Sequence, residues 1–552
     1  LLVFNHFGTD FHDKTKIIYQ SMNYRCIFMI SLLGAVTSCY PTKDMDSKKE
    51  MAILENEKWW GGAVLDGRNS PFNADTFAYD QYGNCKANQA QPLFVSNKGR
   101  YIWSEKPLNI VITKRKISVE TREGEVLTGK QGETLKDAFL YVSKQFFTPS
   151  GKIPDPLLFT SPQYNTWIEL QYNQNEQDIL KYAEDIIKNG FPAGVIMIDD
   201  NWQDRYGTWH FDCEKFSDPK GMIFRLHAMG FKVMLWIVPF ISSDSPIYRK
   251  LAEKKLLIFA DKEKTRPASI EWWNGISALI DLSNPEGEKW FRAQLNKLVE
   301  EYGVDGFKLD AGDPEFYIGT YSFNDYSPND HCEAYARLGL SYQLNELRAC
   351  WKMAGQPLVQ RLRDKSHTWH DVQVLIPDMI GLGIIGHQFG CPDMIGGGEW
   401  TSFQDTSVLD EELIVRSAQV SALMPMMQFS VAPWRVLNKE NLAICKNMAN
   451  LHYKLGDEIL TLVKESAISG EPMVRNLEYE YPGKGYEQIK DQFLLGNKIM
   501  VAPVVEKGQR SREVVFPEGK WQGDDGSVVN GPATLTIDVP LERLPWYRKL
   551  IN

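Results

Sequence analysis

Apolar runs in the middle of this chain end repeatedly in a carboxylate or an indole. Gly194-Val195-Ile196-Met197-Ile198 stops at Asp199-Asp200, Phe231 to Leu235 at Trp236, Ala278-Leu279-Ile280 at Asp281, Phe307-Lys308-Leu309 at Asp310, and a later block reaches Asp393. Carboxylates gathered without a His or Cys cluster suit acid–base or glycosyl chemistry better than metal-dependent hydrolysis. Aspartates also bind Mg²⁺ or Ca²⁺, but the lysines and glycines that handle phosphate beside such ions are missing, so neither a metal nor a cofactor is expected. Breaking a glycosidic bond takes one carboxylate at the anomeric carbon and one carboxylic acid at the leaving oxygen. It also takes aromatic and polar groups that hold a neutral, hydroxyl-rich ring.

Lys308 and Asp310 illustrate the geometry. Residues two apart on a strand share a face, so the two side chains point together. A neighbouring ammonium favours the ionised carboxylate, the state a nucleophile needs. The competing reading is a structural ion pair closing the floor of a barrel.

The elements that must position these residues follow from periodicity. From about Glu57 to Ser161 short β-type runs are broken by Gly, Asn and Pro, as in Leu93-Phe94-Val95 and Tyr101-Ile102-Trp103, which predicts a β-sandwich. Trp167 to Tyr172 is then expected as a strand, Glu176 to Asn189 as a helix closed by Gly190, and Gly194 to Ile198 as a buried parallel strand. A helix over about Asp218 to Met229, a strand from Phe231 to Trp236, a strand end at Ala278 to Asp281, a helix from Pro285 to Tyr302 and a strand from Val304 to Asp310 continue the pattern.

Strand–helix units over so long a stretch point to an α/β protein built on a (β/α)₈ TIM barrel. The carboxyl ends of barrel strands form the active face, so the terminal Asp and Trp residues should converge there. A doubly wound sheet is the alternative, but it would need a glycine-rich phosphate loop after an early strand, and none is present. After a helix around Glu440 to Leu455, short strands return to the C-terminus as one or two small sandwiches. The expected division is residues 1–50 as upstream residues, signal and tether, 51–163 as the N-terminal β-sandwich, 164–438 as the catalytic barrel, and 439–552 as a C-terminal β-rich region.

Gly306-Phe307-Lys308-Leu309-Asp310-Ala311-Gly312-Asp313 resembles the nucleophile strand of glycoside hydrolase family 31. More closely it is similar to the branch of that family with the myogenesis-regulating glycosidase and bacterial α-galactosidases, where Lys-Phe/Ile-Asp-Ala-Gly-Glu/Asp is typical. The α-glucosidase branch has Trp-x-Asp-Met-Asn-Glu instead. Further blocks follow in the family's order: Val195 to Trp202, Leu235 to Phe240, Trp272-Trp273-Asn274-Gly275, Pro392-Asp393-Met394-Ile395-Gly396-Gly397 and Met424 to Arg435. Together they extend the resemblance from about Trp59 to the C-terminus.

The resemblance implies that Asp310 is the nucleophile and that Asp199 and Asp200 bind the sugar in the −1 subsite. The family's acid/base Asp lies five residues before a Trp that precedes Ile-Pro, and here Asp364, Trp369 and Ile376-Pro377 match that spacing. Asp371 competes from the same loop but falls after the Trp. Arg361 matches the arginine that contacts the −1 sugar, while Arg363 reads as solvent-facing or supporting. Trp236, Trp273, Asp281, Lys308 and Asp393 complete the expected substrate-binding set. The implied mechanism is double displacement with retention.

Lys308, standing where α-glucosidases carry Trp, favours an exo-acting enzyme for terminal α-D-galactosides, because a charged donor reaches hydroxyls that an indole cannot. α-Glucoside, α-xyloside and sulfoquinovoside remain alternatives in the same family. A non-catalytic glycan-binding lipoprotein is the alternative of another class, although it need not keep both carboxylates. Trp59-Trp60 read either as a pocket-closing loop or as core, and Trp209 and His210 carry the same ambiguity. His387 reads as structural.

Composition narrows the remaining partners. Apolar residues make up 43% and charged residues 24% of 552 residues, as in a globular chain. A net charge of -10 argues against nucleic acid. The 16 Trp and 23 Tyr include enough aromatics to serve both core and sugar-stacking surfaces. The 8 cysteines are dispersed with no C-x-x-C, so zinc ribbons and redox motifs are unsupported. Cys26 to Val36 is a short apolar run ending in Val36-Thr37-Ser38-Cys39, which resembles a lipoprotein signal. This implies export, with a lipid anchor at Cys39 as the one membrane contact. A plain secretory signal is the alternative. Leu1 to Ser21 read as residues upstream of the initiating Met22, and Tyr40 to Glu50 as a polar tether.

Overall fold

A computed structural model describes residues 47–72 and 76–550. The signal, Cys39 and most of the tether lie outside the described residues. The last tether residues do not dangle: Lys48–Ala52 is an edge strand paired antiparallel with Lys116–Thr121. No helix among the described residues is long and apolar enough to cross a membrane. The six described cysteines are free thiols.

The N-terminal region is two antiparallel-rich sheets around a core of Trp59, Tyr79, Phe94, Ile102, Ile110 and Val119. Leu108–Thr113 shows why: its burial alternates residue by residue, the pattern of a strand with one face covered. One sheet borrows a strand from the barrel, since Cys350–Trp351 pairs parallel with Gln89-Ala90. Within the stretch expected to be all β, Leu135–Phe146 is a helix. Leu135, Ala138, Phe139 and Val142 are its buried stripe at helical spacing, and Thr134 with Asp137 forms a capping box.

The barrel has eight parallel strands: β1 (Gln163–Asn165), β2 (Val195–Ile198), β3 (Lys232–Ile237), β4 (Gly306–Leu309), β5 (Leu344–Leu347), β6 (Gln360–Arg361), β7 (Gly390–Cys391) and β8 (Gln428–Phe429). They pair in sequence order from β1 to β7, and β8 pairs on the other side of β1. The ring is bridged just past β7 by the Ile395 N–H, which donates to the Gln428 carbonyl at 2.9 Å. Register sets Trp236, Lys308 and Glu346 side by side on β3, β4 and β5. Helices between the strands start where expected, with Asn175, Asp218 and Asn284 as side-chain N-caps and Pro at the first turn of two of them. Pro285–Tyr302 ends at Gly303 in the left-handed conformation.

Two expected strands are corrected. Trp167–Leu170 is a helical turn, closed by Gln171 at φ 47, and the first barrel strand is the preceding Gln163–Asn165. That strand escaped notice because its buried residues are polar; Gln428 Nε2 donates to Gln163 Oε1 at 2.6 Å inside the ring. Ala278–Asp281 is not the end of a barrel strand. Gly275–Leu279 pairs antiparallel with Phe240–Ser242 and Ile270–Trp272 in a small sheet that departs from the barrel after β3.

After β8, Lys439–Lys454 and Gly456–Ser469 are helices. The remaining chain makes one six-stranded antiparallel sheet. Arg416, fully buried on the helix Glu411–Ala422, joins barrel to sheet by donating to the carbonyls of Gln509 and Val539.

The N-terminal 3₁₀ turn Val64–Asn69 nests directly on the barrel helix Trp369–Ile384. The contact is backbone to backbone: a Cβ on Gly67 would overlap the Pro377 carbonyl, and one on Gly381 would press on the Gly67 Cα. Gly67→Ala is therefore expected to destabilise the protein by about 1–3 kcal/mol through overpacking. Thermal unfolding checks this, and an unchanged Tm would contradict it.

Candidate active site

The loops beyond the carboxyl ends of the strands enclose a cavity of about 380 Å³. Its walls include Asp199 and Asp200 after β2, Trp236 of β3, Lys308 of β4, Asp310 just past it, and Asp364 in the loop after β6. Trp273, at the tip of the small hairpin, Arg348, Trp167, Tyr172, Glu399 and Trp400 complete the lining. Of the strand-end residues expected to converge, Asp199, Asp200, Trp236 and Asp310 line the cavity and Asp281 and Asp393 do not; Lys308, Asp364 and Trp273 join them.

Asp310 is buried and its charge is compensated from three sides. Arg348 Nε reaches Oδ1 at 2.5 Å, the Trp236 indole N–H donates to Oδ2 at 2.9 Å, and Lys308 Nζ lies 3.9 Å from Oδ2. Ala311 takes a left-handed φ of 55, which turns its N–H back onto Oδ1 at 2.9 Å. Burial alone would raise this carboxyl, but Arg348 and Lys308 outweigh it and hold Asp310 well below the usual carboxylate range. Arg348 is itself clamped by Asp313, with Nη1 at 3.0 Å, and by the Ala87 carbonyl. The result is an oriented carboxylate on the cavity wall, favoured in its ionised form.

Asp364 stands in a different setting. Its side chain is 39% exposed at the cavity, and one oxygen accepts from Arg361 Nη1 at 2.8 Å. Arg361 is fully buried and also meets Asp393 at 2.6 Å and Glu346 at 3.2 Å. Burial works against the Arg361 cation, and Asp364, Asp393 and Glu346 together hold it charged. Arg361 and Asp393 do not line the cavity. Arg361 joins the two carboxylates, its Nη1 reaching both Asp364 and Asp393.

A third group completes the lining. Lys308 Nζ pairs with Asp199 at 2.8 Å. Asp200 accepts from Asn274 Nδ2 at 2.6 Å and from the Tyr206 hydroxyl at 3.1 Å, and the Tyr172 hydroxyl reaches Asn274 Oδ1 at 3.3 Å. Arg348 also faces the Trp273 ring at 5.4 Å. Two carboxylates of unlike environment, with aromatic rings and hydroxyl-binding groups around them, make a pocket that can bind a polar ring and act on it from two sides.

Asp281 does not belong to it. Fully buried after the small sheet, it accepts from Ser283 and from the Phe323 N–H at 2.7 Å and so fastens a distant loop. Trp59 is buried in the N-terminal core and Trp60 in the main core shared with the barrel. Trp209 packs on Trp202 in the barrel wall, and neither it nor His210 lines the cavity. Asp371 caps its helix with Thr368, and His387 is buried and held down to about 3 by burial. Sequence reasoning missed Arg348, Glu346, Glu399 and Trp400. Arg348 follows Leu344-Asn345-Glu346-Leu347, whose polar centre hides a strand; the strand-end rule would have found it had β5 been recognised.

Comparison with known proteins agrees with this architecture. The model of the glycosyl hydrolases family 31 TIM-barrel domain matches residues 162–462, and that of the family 31 C-terminal domain matches 470–549. The mouse (Mus musculus) myogenesis-regulating glycosidase is 31% identical over 74% of this chain and 59% of its own length. Alpha-glucosidase 2 of Bacillus thermoamyloliquefaciens is 25% identical over 76% of the chain and 55% of its own length. The chain thus spans little more than half of these curated relatives. Among solved structures, a Flavobacterium johnsoniae GH31 dextranase complexed with glucose superposes with a TM-score of 0.81 at 20% identity, covering 91% of this chain and 66% of its own. A GH31 α-xylosidase from a soil metagenome, complexed with xylose, gives 0.76 at 21% identity over 91% of this chain and 79% of its own.

Asp200 adds a titration near neutrality. Burial, reinforced by the charge of Asp199, pushes its carboxyl up to about 7, against the pull of Asn274 and the Asn201 N–H. The folded chain then binds this proton more tightly than the unfolded one, so the contribution to stability is complete below the unfolded value of 3.8 and is lost as pH rises through about 7. Asp200→Asn removes the charge. Its Tm relative to the unmodified protein should climb from acid to neutral pH and level off above; a flat difference over that range would refute the assignment.

Proposed function

Because the chain belongs to glycosyl hydrolase family 31, we propose that it is a retaining exo-α-glycosidase, with Asp310 as nucleophile and Asp364 as acid/base. The observation that carries the reading is the contrast between the two carboxylates. One is buried and kept ionised by Arg348 and Lys308; the other is half exposed at the same cavity, with one oxygen directed by Arg361. Asp310 attacks the anomeric carbon as Asp364, protonated, gives its proton to the departing oxygen. A water then attacks the glycosyl-Asp310 ester, and Asp364, now ionised, takes the water's proton; the sugar leaves with its original configuration.

The proposed sugar is a terminal α-D-galactoside. Support comes from Lys308, which brings an ammonium to the −1 wall beside Asp199. An ammonium has three donors, so after Asp199 it retains capacity for a sugar hydroxyl. Asp199 and Asp200 accept from other hydroxyls, and Trp236 and Trp273 supply apolar faces. Relatives named for glucosidase activity keep the α-glucoside as the principal competitor.

A panel of p-nitrophenyl α-glycosides should give the highest kcat/KM for the galactoside; preference for glucoside or xyloside would overturn the sugar. The first-formed product should be the α-anomer by NMR, and a β-anomer would exclude retention. Asp310→Ala should abolish turnover, and Asp364→Ala should slow hydrolysis of disaccharides by about 10²–10⁴. Undiminished activity in either variant would refute its role.

A further inference from the structure

Asp364 lies between β6 and the helix Trp369–Ile384, in a stretch that is neither strand nor helix. Arg361 holds one of its oxygens, so its direction otherwise depends on the backbone at 364 and 365. That backbone is fastened through Lys365. The Lys365 N–H donates to Asp393 Oδ2 at 2.6 Å, and its carbonyl accepts from the N–H groups of Gly398 and Glu399 at 2.9 and 3.0 Å. Its ammonium, almost without exposure, meets Asp378 Oδ2 at 2.9 Å.

Asp378 is fully buried, one residue after Pro377 in the helix that follows the loop. Lys365 alone would balance its charge. A second cation nevertheless reaches it from the N-terminal region: Arg68 donates through Nε at 3.2 Å and Nη2 at 2.5 Å, one to each carboxylate oxygen. The geometry of this excess cation matters. A lysine on a flexible stem binds as a point charge and leaves the carboxylate free to rotate, whereas a planar guanidinium fork fixes the carboxylate plane. With the plane fixed, Oδ2 points at Lys365. Arg68 is held in turn by the close packing of Gly67 on the helix and by Lys490, whose Nζ donates to the Arg68 carbonyl at 2.7 Å. The same region touches the start of the loop. Asn88 Nδ2 donates to the Arg361 carbonyl at 3.1 Å, and its Oδ1 accepts from the Arg363 N–H at 3.2 Å.

We propose that Arg68 is a positioning residue for the acid/base, acting through Asp378 and Lys365 to hold the Asp364 loop against the cavity. The proposal rests on the assignment of Asp364 above. It makes the N-terminal region part of proton delivery, and not only a cover for the barrel.

The test exploits a step that some substrates skip. An α-galactosyl fluoride leaves without protonation, whereas a galactose-terminated disaccharide needs the acid, and kcat/KM reports the first chemical step for both. Arg68→Met should lower kcat/KM for the disaccharide by about 10–10², the order that a misplacement near 1 Å produces, and leave the fluoride within about two-fold. Arg68→Lys, which keeps charge but loses the fork, should behave like Arg68→Met. Asp378→Asn is the more severe variant; Arg68→Met leaves the Lys365–Asp378 pair in place and serves if the former does not fold. Equal loss on both substrates, or loss on neither, would overturn the proposal. Asp364→Ala is the control: if it too loses both substrates alike, the acid/base assignment fails and this proposal with it. A selective Asp364→Ala beside an unselective Arg68→Met overturns the positioning role alone.

Discussion

Arg348 and Asp310 form the contact around which the rest of the site is built. A carboxylate buried in a protein wall protonates unless positive charge and hydrogen-bond donors replace the water it has lost. Here a guanidinium Nε, an indole N–H, a backbone N–H and a nearby ammonium do so together. Arg348 would be as costly to bury alone, and Asp313 on its other side balances it. Removing one member of such a set leaves an uncompensated charge, which is why the residues on three different strands must arrive in register. β3, β4 and β5 carry Trp236, Lys308 and, just beyond Leu347, Arg348.

The same requirement explains why the barrel does not stand alone. Arg348 and Arg361 sit where strands end, and their carbonyls need donors that the ladder no longer supplies. Asn88 and Gln89 of the N-terminal region provide them: Asn88 Nδ2 reaches the Arg348 carbonyl at 2.8 Å, and Gln89 Nε2 reaches the Arg348 and Arg361 carbonyls at 2.7 and 2.9 Å. The strand Cys350–Trp351, leaving the barrel right after Arg348, joins the N-terminal sheet beside Gln89. The two arginines that orient the two carboxylates are therefore pinned by the same pair of amide side chains from outside the barrel.

How much of this could be read from the sequence depended on which way each strand faces chemically. β2 and β3 run apolar to their ends and β4 is interrupted by Lys308 alone, and their terminal Asp199-Asp200, Trp236 and Asp310 were legible as a converging set. β1, β5, β6 and β8 are two to four residues long and turn Gln163, Glu346, Arg361 or Gln428 into a polar interior, so neither an apolar run nor an alternation marks them. That is where Arg348 and Glu346 were lost, and why Trp167–Leu170, more apolar than the strand before it, was mistaken for the strand itself. Asp281 failed for the opposite reason. It ends an apolar run that is a genuine strand, but of the small antiparallel sheet rather than of the barrel. Asp364 could be placed by its spacing from Trp369, yet the fastening by Lys365, Asp378 and Arg68 joins residues far apart in the chain and has no local signature.

The structure also changes what Lys308 can be held responsible for. Read from the sequence, it is a free donor aimed at the sugar. In the folded chain its ammonium is already engaged with Asp199 at 2.8 Å; burial works against the charged form, and Asp199, with Asp310 and Asp364, more than offsets it. The charge of Lys308 thus orients Asp199 as much as it offers a donor, and Asp199 in turn sets the charge felt by Asp200, whose second oxygen Asn274 holds. Selectivity among epimeric sugars cannot then reside in the lysine alone. On the proposed function it belongs to the Lys308–Asp199–Asp200 array: sugar hydroxyls would have to fit the remaining ammonium protons and the carboxylate lone pairs at once, and an epimer that satisfies one of them leaves another buried and unpaired.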